Sequence, residues 1–515
     1  MNKSITLLRT PAVIPSGSLN GSSIVPSLAI AYLSSVLRDN DYIVHDIDAQ
    51  LKGAGKLNKI PNVNDFVTHG LSDHEILLSI PQDTVILGIS VMFSSEWPYV
   101  RELIKKIKGK FPDLFIIAGG EHITAVPEFT LKQCPEIDIA ILGEGEETII
   151  DIMSAFYSTK KWRDIKGIMF KDDINFIRTE KRRRIKNVDE IPWPSWNDDD
   201  LITFFNTKQS HGPYKGRTIP IMASRGCPYD CQFCSNRTMW GNNYWSRNPK
   251  DVVDEIAHYI DKYQVDCFEF MDLTVYMKRK WIIDFCNELI DRKINITWQC
   301  TGGTRTEAID EEVILLTKKA GCTYLGFAPE SGSEKVLVDI KKKIKLSRMI
   351  NLFKLMKKHR VGTRANLIIG FPDEKRKDIF ATLFLQFKLA FLGVLDAPLF
   401  IFTPYPGSAF FELLLSRGVI PNLDKSQTAE LDKYFYNLAQ DFGTANGVGY
   451  NSKIGIKELR FCQTIGMGTF YVMHYLLHPQ RLFKFIYNIF TSKKSNSVFE
   501  QRLIQNMSFF KKNNN

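Results

Sequence analysis

The chain has 515 residues, 44% of them hydrophobic and 24% charged, with a formal net charge of +10. That length excludes a single ordinary domain, and the composition excludes a disordered or fibrous chain. Nine cysteines, an odd number in a large chain without secretory features, exclude a disulfide framework.

The N-terminal MNKSITLLRTPAVIPSG reads as a first strand and not as a signal peptide, and no window reaches the ~18 uncharged apolar residues of a membrane span. A cytoplasmic location is expected. Residues 1–155 then alternate strand and helix signals. ITLLRT, YIVHDID, TVILGISV, LFIIAGG and DIAILGEG are short apolar runs, and stretches 26–37 and 99–110 between them have helical periodicity. This rhythm predicts α/β architecture with a doubly wound parallel sheet. Ligands bind such sheets at the strands' carboxyl ends, which here carry Ser90, Gly119, Gly120, Gly143, Glu144 and Gly145. A glycine at one such turn can serve the backbone alone; three loops of this kind in one sheet point to a ligand.

Residues 156–210 break the rhythm. GIMFKDDINFIRTEKRRRI reads as a hairpin with a polar tip, and IPWPSWNDDD as a linker. The basic runs 182–184 and 341–343 read as a solvated turn and a solvated helix end, and no motif for a nucleic-acid partner accompanies them.

Alternation returns in residues 211–425. TIPIMAS, CFEFMD, ITWQCT, TYLGFAP, RANLIIGF and APLFIFTP are the expected strands, with helices over 249–263, 278–292, 310–320, 347–359 and 377–392. Six parallel strands with crossover helices predict a partial (β/α)6 barrel with chemistry at the strands' carboxyl ends. Residues 426–515 lose the alternation and are expected to be mostly helical, ending in a disordered FFKKNNN tail. Within them, FYVMHYLLHPQRLFKFIYNIF reads as a helix pair covering the barrel or, alternatively, as a surface that rests on a membrane or admits a lipid.

Cys134, Cys267, Cys286, Cys300, Cys322 and Cys462 lie singly in apolar surroundings and read as core residues. Cys227, Cys231 and Cys234 do not. They fall in SRGCPYDCQFC, on a loop just after the first barrel strand, which can turn three sulfurs to one side. Thiolates suit zinc or an iron–sulfur cluster. Zinc in a structural site takes four ligands, and a fourth would have to come from His211 or a distant Cys. Three thiolates on a four-iron cube leave one iron open to a substrate.

C-x-x-x-C-x-aromatic-C at this place, with Phe233 as the aromatic, resembles the signature of the radical S-adenosylmethionine superfamily. FMDLT at 270–274, ESGSEKVLVDIKKKI at 330–344, IIGFPDE at 368–374 and TPYPGSAF at 403–410 resemble that family's later strand motifs. One departure is Leu273, where this branch usually has a second acidic residue after Asp272. The resemblance implies a [4Fe–4S] cluster on Cys227, Cys231 and Cys234. It also implies S-adenosylmethionine chelated to the open iron and cleaved to a 5′-deoxyadenosyl radical. Phe233, Asp272, Glu330 and Ser331 are the implied contacts to S-adenosylmethionine, and an electron donor such as flavodoxin or ferredoxin is implied as partner.

The segments VPSLAIAYLSSVLRDNDYIVHDID, GISVMFSS, AGGEHITAVPE and ILGEGEETI resemble the branch whose first domain binds cobalamin. That places cobalamin on Ser90, Gly119, Gly120, Gly143, Glu144 and Gly145. No D-x-H-x-x-G motif is present; Asp48-Ala49-Gln50-Leu51-Lys52-Gly53 has Gln where the cobalt-binding His would stand. A cobalamin-dependent methyltransferase acting on a small molecule or lipid is the implied activity. A radical cyclase or rearrangement enzyme of the same architecture is one alternative, and a non-catalytic corrinoid or cluster sensor is another.

Overall fold

The computed structural model describes residues 3–17, 24–158, 161–439, 447–491 and 494–513. The first alternating segment forms five parallel strands in the spatial order Ile43–Asp48, Ser4–Arg9, Ile86–Ser90, Phe115–Gly119, Ile139–Ile141. The central strands are buried along almost their whole length, as parallel strands covered by helices on both faces must be. Strand order reverses between Ser4–Arg9 and Ile86–Ser90, which opens a crevice at the carboxyl ends there.

The expected hairpin forms, but it is not a free linker. Ile168–Asp172 pairs antiparallel with Ile139–Ile141, and Asn175–Arg178 adds the outermost strand. Ile168 and Phe170 enter one core and Met169 the opposite one, so side-chain alternation fixes the register. A three-stranded antiparallel sheet of Ala12–Pro15, Leu57–Ile60 and Val63–His69 was not expected. Its strands are short, and two of the three are about half polar, so they carry little periodic signal.

The second sheet holds Thr218–Ile221, Cys267–Phe270, Thr297–Thr304, Cys322–Glu330, Gly362–Ile369 and Leu399–Ile401, all parallel and in chain order. The first and last do not pair, which makes it the partial barrel that the alternation predicts. Its helices Pro249–Tyr263, Arg279–Asp291, Glu311–Lys319, Leu346–Lys358 and Arg376–Phe391 fall within a residue of expectation. Their starts are chemically marked. The Asn248 side chain accepts from Lys250 N with Pro in the first turn, and Asp310 accepts from Val313 N. Trp298, Phe268, Phe270 and Phe285 fill the space between strands and helices. Five of the six scattered cysteines are buried and Cys462 is half-buried.

The C-terminal region is helical. Ile456–Leu477 lies along the last barrel strand, where Gln463 Nε2 donates to Leu399 O (2.7 Å) and Leu399 N donates to Met467 Sδ (3.3 Å). An unpaired strand edge is covered in this way. The tail differs from expectation: Val498–Asn513 is a helix, and residues 514 and 515 lie outside the described residues. Its start is fixed by the buried Asp396, whose carboxylate accepts from Val498 N (2.9 Å) and Phe499 N (3.0 Å). A carboxylate at a helix N-terminus satisfies otherwise orphaned N–H groups. No helix of the described residues is long and apolar enough to cross a membrane.

Candidate active site

The cysteine loop leaves the first barrel strand through Ser224–Gly226, which pairs with Tyr244–Ser246. Gly226 has φ +84°, and a Cβ there would lie 2.2 Å from Asn243 O, so only glycine permits the turn into Cys227. The loop is then pinned from two sides. Gln232 N donates to Ile340 O (3.0 Å) beyond the fourth strand, and Phe410 N donates to Gln232 O (2.9 Å) from beyond the sixth.

Burial pushes the Cys234 thiol up to about 12, with the neighbouring Cys231 and Cys227 adding to the rise. Burial likewise raises Cys231, while Lys342 and Arg305 act against it. The three thiols therefore share one electrostatic neighbourhood, and its cations favour a bound polyanion. Among the described residues, no three His, Cys, Asp or Glu side chains are placed to hold a single metal ion. A four-iron cube takes one thiolate on each of three irons, so its sulfurs stand further apart than around one ion. Three thiolates with no fourth protein ligand engaged suit a four-iron cluster better than a closed structural zinc site. His211 is engaged elsewhere, bonded to Thr301 Oγ1 (2.6 Å) and Glu269 (3.2 Å).

The other expected contacts lie around this loop in different states. Phe233 is half-buried against Phe371, ring centroids 5.8 Å apart. Asp272 is buried and accepts from Ala223 N (3.1 Å) and from the Ser224 hydroxyl. Burial raises its carboxyl to about 6, against those hydrogen bonds. Asp272 thus ties the second strand to the start of the cysteine loop. The next residue, Leu273, is 44% exposed. Glu330 ends the fourth strand at φ +61°, a conformation that costs a non-glycine residue of order 1–3 kcal/mol. It is buried and paired with Lys342 (2.8 Å). Ser331 is spent on the following turn, where its hydroxyl meets Thr382 Oγ1 (3.0 Å) and accepts from Ser333 N (3.1 Å).

In the first domain, Ser90 and Gly119 end adjacent strands and are half-exposed. Gly120 has φ +115°, and a Cβ would lie 2.5 Å from Val91 O. Gly143 has φ +86° with open space beside it, and a Cβ on Gly145 would meet Leu33 at 3.1 Å. Glu144 is buried and bound by two guanidinium groups, Arg184 (2.5 Å) and Arg225 (3.0 Å). Arg225 also binds Glu146 (2.5 Å), and Arg184 stacks on Trp240 at 4.6 Å. The two basic runs are therefore not simply solvated: Arg184 and Lys342 are half-buried partners of the buried Glu144 and Glu330.

These contacts set the strand ends of both sheets face to face. Glu121, just after Gly120, accepts from the Ser235 hydroxyl beside Cys234, and helix Glu121–Ala125 meets Asn236–Met239. Tyr405 stands at the same junction. Burial raises its phenol, Glu121 adds to the rise, and yet 40% of its surface is open. Met92 and Phe93, beyond Ser90, leave over half their surface open at their own strand end. Exposed apolar side chains beside glycine-rich strand ends suit a large, partly apolar group such as a corrin. A protein imidazole under its metal is not available from His122. That ring is buried, stacked on Trp97 (5.0 Å) and bonded to Ser94 (2.9 Å), and burial holds it down at about 3. Gln50, at the His position of the near-motif, donates to Thr10 O (3.0 Å).

Sequence reasoning missed Arg225, Lys342, Met92, Phe93 and Tyr405. Each lies inside a segment that carries the family resemblance, but nothing local distinguishes it from its neighbours there.

Comparison with known proteins agrees with this geometry. Residues 221–385 match the family model of the Radical SAM superfamily, and residues 19–152 match that of the B12 binding domain. An uncharacterized methyltransferase of Pyrococcus horikoshii is 29% identical over 79% of this chain and 82% of its own length. The cytidylyl-2-hydroxyethylphosphonate methyltransferase of Streptomyces wedmorensis is 28% identical over 67% and 69%. The anaerobic magnesium-protoporphyrin IX monomethyl ester cyclase of Cereibacter sphaeroides is 27% identical over 76% and 60%. Among solved structures, the methyltransferase TsrM of Kitasatospora setae with cobalamin and a [4Fe–4S] cluster bound superposes with a TM-score of 0.65. That match covers 92% of this chain and 91% of that one at 14% identity, so it shows the shared fold.

Proposed function

We propose, for a chain that belongs to the radical S-adenosylmethionine superfamily and carries a B12 binding domain, a cobalamin-dependent methyltransferase acting on an unactivated carbon. The observation that carries the reading is the junction at Glu121, Ser235 and Tyr405, which sets the first domain's strand ends against the cysteine loop. A reaction between two cofactors needs its substrate held within contact distance of both.

When bound, the cluster supplies the electron that splits S-adenosylmethionine, and cobalamin supplies a transferable methyl group. Cys227, Cys231 and Cys234 would hold the cluster; Ser90, Gly119, Gly120, Gly143 and Gly145 would border the corrin. The chain's remaining residues position and shield. Asp272 fixes the start of the cysteine loop, and Lys342 fixes Glu330 beside it. Glu330 is the contact we assign to S-adenosylmethionine, while Phe233 supports the loop from behind. Arg225, Glu144 and Arg184 lock the two domains and keep water from the junction. A flavodoxin- or ferredoxin-type donor completes the reading.

The test is anaerobic incubation of reconstituted protein with methyl-labelled S-adenosylmethionine, cobalamin, reductant and fractionated small-molecule and lipid extracts. Label should enter a product, with one 5′-deoxyadenosine and one S-adenosylhomocysteine formed per turnover. Product without label or S-adenosylhomocysteine would move the chain to cyclisation or rearrangement. Absence of sustained 5′-deoxyadenosine formation would favour a sensor.

A further inference from the structure

The C-terminal helices carry a surface that the reaction does not use. On Pro479–Thr491, Phe483 is 72% and Phe490 83% exposed, with Tyr487 between them on the same face. Val472 and Leu476, one turn apart, are exposed on the preceding helix Ile456–Leu477. Phe380 and Phe384 repeat the pattern on Arg376–Phe391, which packs beside it. Monomers seldom leave neighbouring apolar stripes of this extent in water.

Beside the aromatic helix lies a cavity of about 500 Å³ at the amino ends of the barrel strands, opposite the cysteine loop. Lys215, Lys318, Arg360, Arg481 and Lys484 line it, against one carboxylate, Glu500. None of the five cations forms an ion pair among the described residues. Lys215 donates to Ser495 O (2.9 Å) and Arg481 to Gly393 O (3.0 Å), so both are held in place. Burial lowers both Lys215 and Arg481, as for cations awaiting an anion. The same charge bias runs along the chain: between Glu458 and Glu500 there is no acidic residue and there are five Lys or Arg.

We infer that this face docks on an anionic phospholipid bilayer, with Phe483, Tyr487 and Phe490 entering the headgroup boundary and a lipid phosphate taken up by the Lys318–Arg360–Lys484 side of the cavity. Charge complementarity selects an anionic surface, and an amphipathic helix with aromatics on one side and cations beside them is built to lie in such an interface. The docking stands independently of the reaction assigned above.

Co-sedimentation of the full chain with phosphatidylcholine vesicles, with and without phosphatidylglycerol, tests it. Binding should need phosphatidylglycerol, fall at 0.5 M salt, and be lost in the Phe483→Asp/Phe490→Asp variant. Lys318→Glu and Lys484→Glu should each lower the binding constant by about fivefold or more. All these side chains are at the surface or the cavity rim, so an unchanged circular dichroism spectrum checks the fold. No binding at low salt overturns the proposal. So does binding that ignores the phenylalanine changes and is abolished by millimolar inorganic phosphate, which marks a soluble phosphate ligand. A dimer dispersed by the phenylalanine changes, without vesicle binding, overturns it in favour of a second copy.

Discussion

Replacing Arg225 with Ala should damage the protein far more than a surface arginine would. The guanidinium bridges Glu144 (3.0 Å) and Glu146 (2.5 Å) across the domain junction, and all three side chains are at most 10% exposed. Glu144 keeps Arg184 at 2.5 Å after the change, whereas Glu146 loses its one ion-pair partner among the described residues. One orphaned buried carboxylate costs about 3–5 kcal/mol. Burial opposes ionisation of Glu146, but Arg225 outweighs it and holds the carboxyl below its ordinary value. The pair's contribution is therefore complete above the unfolded carboxylate range and is lost as pH falls through the depressed folded value. Urea unfolding of wild type and Arg225→Ala should thus differ by about 3–5 kcal/mol at pH 7 and converge towards pH 3. Adding Glu146→Gln to Arg225→Ala removes the unpaired charge and should recover about half of the loss. A cost under about 1 kcal/mol, the worth of an exposed pair, or a difference that does not narrow as pH falls below the ordinary carboxylate range, would refute the reasoning.

Gly120→Ala puts a Cβ 2.5 Å from Val91 O at φ +115°, so the strand-end loop must shift. Bound cobalamin, read by its visible absorbance after gel filtration, should fall at least several-fold, and wild-type retention would contradict the assignment of this loop. Glu96 is buried beyond Ser90, and burial, partly offset by Arg9, raises it to about 8. The folded state keeps this proton while the unfolded state loses it near pH 4.5, so its contribution falls by about 1.4 kcal/mol per unit up to pH 8. Glu96→Gln should therefore gain on wild type as pH rises from 5 to 8, to a few kcal/mol; parallel stability curves would show that Glu96 is solvated.

The barrel was legible because strand and helix patterns alternate through it, and two of its helix starts carry a side-chain cap, at Asn248 and Asp310. The cysteine loop was legible because its chemistry is local: three thiols and a glycine within a few residues. Partnerships across the domain junction were not. Arg184 and Lys342 look like members of solvated basic runs, and only folding shows that Glu144 and Glu330 lie opposite them. The tail read as disordered because the residue that holds its helix, Asp396, is about a hundred positions away. Asp272, Glu144 and Ser331 were all expected at ligands; in the fold each is already engaged by protein groups, which no single sequence displays.

The central claim is a cluster on Cys227, Cys231 and Cys234 that drives cleavage of S-adenosylmethionine. Its most direct test is the 5′-deoxyadenosine formed by anaerobically reconstituted, chemically reduced protein, wild type against the triple Cys→Ala variant, with bound iron and sulfide counted in the same samples. The account predicts about four iron and four sulfide per chain with 5′-deoxyadenosine in the wild type, and neither in the variant. A triple variant that retains full iron and still forms 5′-deoxyadenosine would contradict it.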